Sequence, residues 1–395
     1  MQISVEKPGK LKLAALPPLA LYVHIPWCVR KCPYCDFNSH ERTGELPEAE
    51  YIEKLFADLE RLLPSVWGRR LTSVFIGGGT PSLFSPESID RLLSGVRARL
   101  PLEPDAEITL EANPGTVEAA RFKGFRAAGV NRISIGVQSF DDAMLKALGR
   151  IHGAAEARRA IDAALASFDN VNLDVMYGLP GQTAAMARAD LEQAVACGAP
   201  HVSAYQLTIE PNTAFWSKPP QLPEHDLCAD MQLAAEEMLG AAGYEHYETS
   251  AFARTARRSR HNLNYWQFGD YLGIGAGAHG KVSFPDRITR HSRIKQPREY
   301  LAADDTLAEE RVLSRREVPF EFMLNALRLT DGFEVKLFSE RTGLSLSVIN
   351  EQLAKAEKQG LLERDWQRIR PSARGRLFLN ELLELFLDGE SRDRG

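Results

Sequence analysis

Residues 21–38 read LYVHIPWCVRKCPYCDFN, and the rest of the chain is best understood outward from this stretch. Its first residues form an apolar run that is typical of a buried strand. Its second half places Cys28, Cys32 and Cys35 within eight residues, although the whole chain has only 5 cysteines. Because the CxxxCxxC spacing is too tight to distribute three thiolates over separate sites, we expect them to face one common centre.

Two kinds of metal centre fit this loop. Zinc would need a fourth ligand, for which His24 or His40 is the candidate. An iron–sulfur cluster usually takes four thiolates, so three cysteines would leave one iron of a 4Fe-4S cluster open to a non-protein ligand. Arg30 and Lys31 place positive charge beside the thiolates, although a solvated pair of loop charges explains them equally well. The loop alone leaves zinc and iron–sulfur open.

Short apolar segments alternate with helical patterns after this loop. Besides the run before Cys28, the predicted strands are 72–79, 107–113, 132–140, 171–179 and 201–210. The predicted helices between them are 48–63, 86–100, 117–128, 141–148, 154–167 and 184–197. Six strands that alternate with helices predict an α/β fold with a mostly parallel sheet, buried on both faces.

Polar residues and glycines cluster where these predicted strands end. They include Gly77, Gly78 and Gly79 in GGGTP, and further on Glu111, Asn113, Gln138 and Ser139, while Asp174 lies within the fifth strand and Tyr205 and Gln206 lie within the sixth. The carboxyl ends of parallel strands form one ligand crevice, so these residues predict a single site. Glycines there let a ligand approach the backbone and its amides. Taken one at a time, a tight turn or a side chain that bridges two strands explains each residue as well.

The alternation stops after residue 210. Residues 216–312, including RHNLNYWQFGDYLGIGAGAHG, read as a β-rich extension of the same sheet. From about 317 to 387, the order of helices, turns and strands predicts a small winged-helix-like domain, which we expect to pack over the barrel opening or to present a surface to a partner. Its natural recognition helix, 346–358, carries Lys355 and Lys358 against Glu351 and Glu357. This balance argues against binding of duplex DNA.

Composition excludes several classes of protein. The chain has 395 residues, a 44% hydrophobic and 26% charged content and a formal net charge of -5, which gives no general attraction to nucleic acid or anionic membrane. It lacks an apolar run of about eighteen residues and a clear signal peptide. Clustered cysteines without a secretory signal fit a reduced compartment, so we expect a cytoplasmic protein. Cys197 and Cys228 are expected to be ordinary buried thiols.

The motifs YVHIPWC, CPYCDF, GGGTPS, EANPGT, GVQSF, LGRIH, NLDVMYGLPGQT and GAGAHG resemble those of the radical S-adenosylmethionine superfamily. Within it, they resemble the group around oxygen-independent coproporphyrinogen III oxidase, over roughly 21–280. The resemblance implies a partial, open TIM-like (β/α)6 barrel with a β extension and a C-terminal winged-helix-like domain. The implied division is 1–20 for an N-terminal extension, 21–215 for the barrel, 216–312 for the β-rich extension and 313–395 for the C-terminal domain with a loose tail.

The resemblance also implies cofactors and the residues that bind them. In that superfamily three cysteines hold a 4Fe-4S cluster, and the amine and carboxylate of S-adenosylmethionine chelate the fourth iron. The implied cluster ligands are Cys28, Cys32 and Cys35. The positions that match S-adenosylmethionine contacts of the oxidase are Tyr22, Gly78, Gly79, Thr80, Glu111, Gln138, Arg150 and Asp174.

Two features of the sequence favour a function other than that of the oxidase. The oxidase has the pattern CxxxCxxCxC, whereas in this chain Phe37 occupies the position of the last cysteine of that pattern. In addition, RHNLNYW matches the HNxxYW motif of the HemW branch, whose members are regarded as heme chaperones. Candidate heme contacts are therefore His261, Asn262, Tyr265 and Trp266, since histidine can ligate iron and aromatic rings can pack on a porphyrin. A structural histidine among core aromatics explains the motif nearly as well. His279 and His246 are alternative ligands.

These features predict a heme chaperone that binds heme, a 4Fe-4S cluster and S-adenosylmethionine and delivers heme to an acceptor hemoprotein, such as a respiratory one. The alternative is an oxygen-independent coproporphyrinogen III oxidase, which removes carboxyl groups from propionates; a radical methyltransferase is a more distant option. Whether the chain is an enzyme stays open. We expect an electron donor for the cluster, no nucleic acid and at most peripheral membrane contact, and we leave a homodimer open.

Overall fold

The computed structural model describes residues 11–116 and 119–387. Three sequence expectations therefore lie partly or wholly outside the described residues. The predicted N-terminal extension is described from Leu11 onward only, the predicted helix 117–128 is described from Ala119, and the predicted tail after residue 387 is not described. The proposed division into four regions stays a prediction.

The elements follow the alternation that the sequence predicts. The strands are β1 (Leu19–Ile25), β2 (Trp27–Cys28), β3 (His40–Glu41), β4 (Leu71–Gly78), β5 (Leu102–Ala112), β6 (Arg132–Gln138), β7 (Val171–Tyr177), β8 (His201–Gln206), β9 (Glu245–Glu248), β10 (Ala251–Ala253), β11 (Asp270–Ile274), β12 (His279–Phe284), β13 (Arg287–Arg293), β14 (Leu307–Val312), β15 (Phe333–Glu334), β16 (Leu362–Arg364) and β17 (Arg368–Pro371). The α-helices are α1 (Glu48–Leu62), α2 (Pro86–Arg99), α3 (Ala119–Ala128), α4 (Asp142–Ala147), α5 (Ala154–Leu165), α6 (Ala184–Ala196), α7 (Ala214–Ser217), α8 (His225–Ala241), α9 (Arg260–Trp266), α10 (Pro297–Ala302), α11 (Glu317–Ala326), α12 (Val335–Thr342), α13 (Asn350–Lys358), α14 (Ala373–Leu377) and α15 (Leu379–Glu384).

Twelve of these strands form one large sheet in the order β14-β13-β12-β11-β1-β4-β5-β6-β7-β8-β10-β9. Its six central βα strands, β1 and β4 to β8, pair in parallel, and β1 also pairs in parallel with β11. The flanking strands β12 to β14 and β10 with β9 pair antiparallel. Since β14 and β9 are the two edges, the sheet is open, and the predicted α/β class is confirmed.

The core explains why one face of the first strand is entirely apolar. Leu21, Val23 and Ile25 on β1 are each 0% exposed, because the strand has a parallel neighbour on each side and helices cover the sheet. Burying such side chains stabilises the fold by about 1.5–3 kcal/mol each. The core fixes β1 and thereby the position of the cysteine loop that follows it.

Of the other cysteines, Cys228 is buried as expected, whereas Cys197 is partly exposed; both are free thiols.

Within the predicted β-rich extension, the motif RHNLNYW forms the helix α9. The Ser259 hydroxyl caps this helix by accepting from the amide of Asn262. The Glu107 carboxylate of β5 accepts from the amides of Arg260 and His261, both at 3.0 Å. A carboxylate at a helix N-terminus satisfies amides that have no partner within the helix and interacts favourably with the helix dipole. This partner is about 150 residues away in sequence, so local patterns did not reveal it.

The C-terminal region has a core of its own. Its elements run α11, β15, α12, α13, β16, β17, which is the order of a winged helix, with a three-stranded sheet ordered β15-β17-β16. The predicted helix 346–358 is divided into a 3₁₀ turn, Leu346–Ile349, and α13. Phe322 packs edge-on against Phe333 and Phe338, and also against Phe268 of the extension. The domain therefore docks on the β-rich extension.

Candidate cofactor and ligand cavities

Two cavities adjoin near the carboxyl ends of the parallel strands. The first, the cysteine cavity, encloses about 140 Å³ and is lined by Cys28, Val29, Arg30, Cys32, Tyr34, Cys35, Phe37, Ser39, Gly78, Gly79, Thr80, Glu111, Ala112, Asn113, Ser134, Gly136, Gln138, Gly149, Arg150, Ile151, Asp174 and Tyr205. The second, the aromatic cavity, encloses about 980 Å³ and is lined by Tyr22, His24, Lys31, Cys35, Asp36, Phe37, Asn38, Ser39, His40, Phe75, Glu111, Pro211, Asn212, His261, Asn262, Tyr265, Trp266, Tyr271, Gly277, His279 and Lys295. They share a wall made of Cys35, Phe37, Ser39 and Glu111.

The three predicted cluster cysteines all line the cysteine cavity. Each sulfur has one polar neighbour: the Thr80 hydroxyl donates to Cys28 at 3.5 Å, the Arg150 guanidinium donates to Cys32 at 3.6 Å, and the Ser39 hydroxyl lies 3.5 Å from the sulfur of Cys35. Donors and a cation beside thiolates stabilise a negatively charged cluster. The set of three sulfurs with these neighbours fits an iron–sulfur cluster.

Burial favours the protonated form of two of these thiols, Cys28 and Cys35. It raises the pKa of Cys28 to about 11, and the hydrogen bond from Thr80 offsets only part of this shift. Burial also raises the pKa of Cys35. Metal coordination deprotonates a thiol outright, so cluster assembly would release protons here. The loop is suited to metal binding rather than to a free reactive thiolate.

The zinc alternative fails at its fourth ligand. Both ring nitrogens of His24 are engaged, Nδ1 with the Tyr22 hydroxyl and Nε2 with the Asn38 carbonyl, each at 2.9 Å. His40 Nε2 lies 3.1 Å from the Asn38 side-chain oxygen. Within 11–116 and 119–387, no three His, Cys, Asp or Glu side chains converge closely enough to hold a single metal ion. Neither histidine is therefore placed as the fourth ligand of a Cys₃His site.

The glycines of GGGTP serve close packing. A Cβ on Gly78 would lie 2.7 Å from the His24 ring, and one on Gly79 would lie 2.6 Å from the Trp27 carbonyl oxygen. Their amides are used inside the protein, because Gly78 donates to the Glu111 carboxylate and Gly79 to the Ile25 carbonyl. The expectation that these amides are free for a ligand is wrong in this structure. A ligand that bonds the Gly78 amide would have to displace Glu111.

Two carboxyl groups give the cysteine cavity its electrostatic character. Burial, followed by the nearby charge of Asp174, raises the pKa of Glu111 to about 8. Burial also raises the pKa of Asp174, despite hydrogen bonds from Ser134 at 3.2 Å and from Asn172 at 2.8 Å. A cation in this cavity would favour both ionised forms. The carboxyl groups of Glu111 and Asp174 therefore fit a positively charged ligand such as S-adenosylmethionine.

Arg150 joins the strand ends to the cysteine loop. Its guanidinium donates to the Asn113 side chain at 2.6 Å and to the Gly136 carbonyl at 2.8 Å, besides its contact with Cys32. Among the described residues, no carboxylate forms an ion pair with Arg150. Asn113, in turn, donates to the Thr80 hydroxyl at 2.8 Å. Asn113 thus belongs to the site, although the sequence marked it only as a polar strand end.

The sixth strand contributes Tyr205, which the sequence also marked only by its position. Its hydroxyl donates to the side-chain oxygen of Gln138 at 2.7 Å. Gln138 has a φ of 68°, a left-handed conformation that is uncommon for residues other than glycine. Ser134 and Gly136 line the same cavity, and no sequence signal distinguished them. Of the eight predicted S-adenosylmethionine contacts, seven line this cavity and Tyr22 lines the aromatic cavity instead.

The four residues of the HNxxYW motif line the aromatic cavity together. His261 Nδ1 lies 2.9 Å from the Ser73 hydroxyl, and its ring is 5.0 Å from that of Phe75. Burial, with the charge of Arg132 second, lowers the pKa of His261 to about 3, so the ring is neutral at pH 7. Ser73 is its one side-chain partner among the described residues. A neutral imidazole with one nitrogen fixed is a competent metal ligand.

The other two histidine candidates are placed differently. His279 lines the aromatic cavity, where it is exposed. His246 lies on β9, stacks on Phe252 at 4.3 Å and lines neither cavity. The structure therefore separates His246 from the site. No described residue of the C-terminal domain lines either cavity, and the expectation that this domain packs over the opening stays a prediction.

Aromatic rings make one side of the aromatic cavity. Tyr265 packs edge-on against Trp266 at 5.0 Å and lies 4.9 Å from Tyr271. The indole nitrogen of Trp266 is buried and has no hydrogen-bond partner in the described part of the chain. The Arg328 guanidinium lies 4.5 Å from the Trp266 ring, which links this wall to the C-terminal domain. The volume and the apolar lining are those of a ligand pocket, for which about 300–1,000 Å³ is usual.

Comparison with known proteins identifies the class. Residues 22–194 match the family model described as the Radical SAM superfamily, and residues 313–378 match the HemN C-terminal domain. A solved structure of coproporphyrinogen III oxidase (HemN) from Escherichia coli superposes with a TM-score of 0.79 at 24% identity, over 94% of this chain and 90% of that one. This likeness confirms the predicted barrel-type fold. Fold and matched regions define a radical S-adenosylmethionine protein, a class that implies a 4Fe-4S cluster and S-adenosylmethionine.

The relatives narrow the class further. Heme chaperone HemW from Escherichia coli (strain K12) is 52% identical over 95% of this chain and 100% of its own, and HemW from Haemophilus influenzae is 51% identical over 95% and 99%. The bovine protein named radical S-adenosyl methionine domain-containing protein 1, mitochondrial, is 37% identical over 92% of this chain and 86% of its own. The chain belongs to the HemW family.

In the part of the chain that the structure describes, no helix combines the length and the apolar character needed to cross a membrane. The cytoplasmic location stays a prediction.

Proposed function

We propose that this protein is a heme chaperone that binds heme in the aromatic cavity and transfers it to an acceptor hemoprotein. The observation that supports this most directly is the convergence of His261, Asn262, Tyr265 and Trp266 on one large cavity beside the cysteine loop. His261 supplies a neutral imidazole for iron, and the tyrosine and tryptophan supply apolar faces for a porphyrin. The family's HemW members, named heme chaperones, support the same function.

Cys28, Cys32 and Cys35 are proposed to hold the 4Fe-4S cluster. Gly78, Gly79, Thr80, Glu111, Gln138, Arg150 and Asp174 are proposed to bind S-adenosylmethionine, with Tyr22 facing the heme side of the shared wall. When bound, the cluster supplies an electron for S-adenosylmethionine. The residues of the chain supply orientation: Arg150 donates to Cys32, and Glu111 and Asp174 place negative charge opposite a cationic ligand.

A porphyrin oxidase is the second candidate, because the shared wall places the S-adenosylmethionine cavity directly beside the cavity proposed for a porphyrin. The deciding experiment is anaerobic reconstitution with iron and sulfide, followed by parallel assays of heme binding and coproporphyrinogen turnover. We expect a stable heme complex, heme transfer to an apo-hemoprotein and no vinyl product. Vinyl product without a stable heme complex would reverse the choice.

A further inference from the structure

Two lysines line the aromatic cavity, and neither has a carboxylate partner. Lys31 belongs to the cysteine loop and Lys295 follows β13, and no other lysine or arginine among the described residues lines this cavity. Within the described chain, no ion pair involves either ammonium group, and both side chains are exposed at the rim. The other charged side chains in the lining, Asp36 and Glu111, form no ion pair in the described chain either. Two unpaired cations beside an apolar wall favour a ligand that carries negative charge.

Asn38 brings the two lysines to the same rim. Its side-chain amide donates to the Lys295 carbonyl at 2.8 Å and to the Ala276 carbonyl at 2.9 Å. The Lys31 ammonium group donates to the Phe37 carbonyl at 3.4 Å, next to Asn38 in the chain. Two segments that are more than 250 residues apart are thus joined at one point, with a lysine on each.

Part of the cavity wall is aromatic. Tyr22, Phe75, Tyr265, Trp266 and Tyr271 line it. The carboxyl groups in the lining are Asp36, which is exposed at the rim, and Glu111, which accepts from the Gly78 amide in the shared wall. The arrangement suits a flat apolar ligand whose charged groups point toward solvent, because ion pairs at a rim need no desolvation of the ammonium groups.

We propose that Lys31 and Lys295 bind the two carboxylate groups of a porphyrin dicarboxylate, so that the cavity selects the dianionic macrocycle over its uncharged ester. This inference rests on the proposed function and names the groups of the ligand that the site recognises. The cysteine loop would then bind both the cluster and a porphyrin carboxylate, since Lys31 lies between Cys28 and Cys32.

The test compares binding of hemin and of hemin dimethyl ester, both presented in the same detergent, to the reconstituted full-length protein. We expect the wild type to bind hemin about tenfold more tightly than the ester, since each exposed ion pair contributes about three- to fivefold. In the Lys31→Met/Lys295→Met protein, hemin affinity should fall to that of the ester, while ester affinity stays unchanged. Each single variant should lose part of the preference.

Lys123→Met is the matched control, because Lys123 is exposed on α3 and lines neither cavity. It should retain the full preference. Equal wild-type affinities for hemin and ester would overturn the inference, and so would a double variant that still prefers hemin. Unchanged ester affinity in the double variant shows that its fold is intact. Failure of both ligands to bind saturably would instead contradict the proposed function.

Discussion

The cysteine cavity and the aromatic cavity share a wall, yet the chain builds them in different ways. The three sulfurs of the first come from eight consecutive residues, and its other polar groups come from the ends of successive strands. The second brings β1, the cysteine loop, α9 and the turn after β13 together. The first is small and rich in hydrogen bonds, whereas the second is large and has six Phe, Tyr and Trp side chains in its lining. A site built locally tolerates changes elsewhere, while one built from distant segments depends on the contacts that join them.

The largest difference between the two cavities is expected when one cluster cysteine is removed. Cys32→Ala deletes one of three thiolates and leaves Arg150 without its sulfur partner, so we expect complete loss of iron–sulfur absorbance and of bound iron and sulfide after reconstitution. Cys197→Ala should retain the full content. Heme binding to the aromatic cavity should persist in both variants. A cluster of undiminished content in Cys32→Ala would exclude this cysteine as a ligand.

The corresponding change in the aromatic cavity is His261→Ala. We expect heme affinity to fall by about hundredfold and the Soret band to shift, because removal of an iron ligand is at the upper end of effects on metal binding. Cluster content should not change. His246→Ala, on the outer strand β9, should bind heme like the wild type. An unaltered heme spectrum in His261→Ala would remove this residue from the proposal.

Glu107→Gln tests the dependence of the aromatic cavity on distant contacts. In glutamine, an NH2 group that donates hydrogen bonds replaces one of the oxygens that accept from the amides of Arg260 and His261. We therefore expect the free energy of unfolding to fall by about 1–3 kcal/mol and the affinity for heme to fall by about tenfold. Chemical denaturation and heme titration measure the two effects. Glu103→Gln, on the same strand and with no hydrogen bond in the described structure, should have neither effect. Equal loss of cluster and heme would contradict the separation of the two cavities.

The smallest expected effect is a pH dependence in the cysteine cavity. Because Glu111 has a raised pKa of about 8, it is largely protonated at pH 7 in the absence of ligand. A cationic ligand binds its ionised form better, so affinity for S-adenosylmethionine should rise with pH, by about fivefold from pH 7 to pH 8, and level off above that. Calorimetric titration should also show proton release.

Glu111→Gln provides the control for this titration. It should remove the contribution of Glu111 to the pH profile and leave that of Asp174, whose pKa is also raised. If the affinity of the wild type for S-adenosylmethionine fell with rising pH, the pH dependence would have the opposite sign. This result would exclude the proposed contact between the carboxylates and the cation.

The same contrast explains what the sequence could predict. The six strands and the cysteine loop are visible because apolar runs and the CxxxCxxC spacing are local, and Gln138 follows from its place at a strand end. The helix α9 could not be predicted, because the Glu107 carboxylate that satisfies its first amides comes from β5. The glycine amides were misread because their acceptors, Ile25 and Glu111, lie on neighbouring strands. Such pairings exist only once the sheet has formed.

The central claim is that heme binds across the shared wall from the cluster, and electron paramagnetic resonance tests it most directly. The protein is reconstituted, its cluster is reduced, and the relaxation of the cluster signal is measured before and after one equivalent of paramagnetic heme. Since Cys35 belongs to both cavities, we predict faster relaxation and broadening of the cluster signal with heme, and loss of this effect in His261→Ala. A cluster signal that is identical with and without bound heme would place the heme elsewhere and contradict the account.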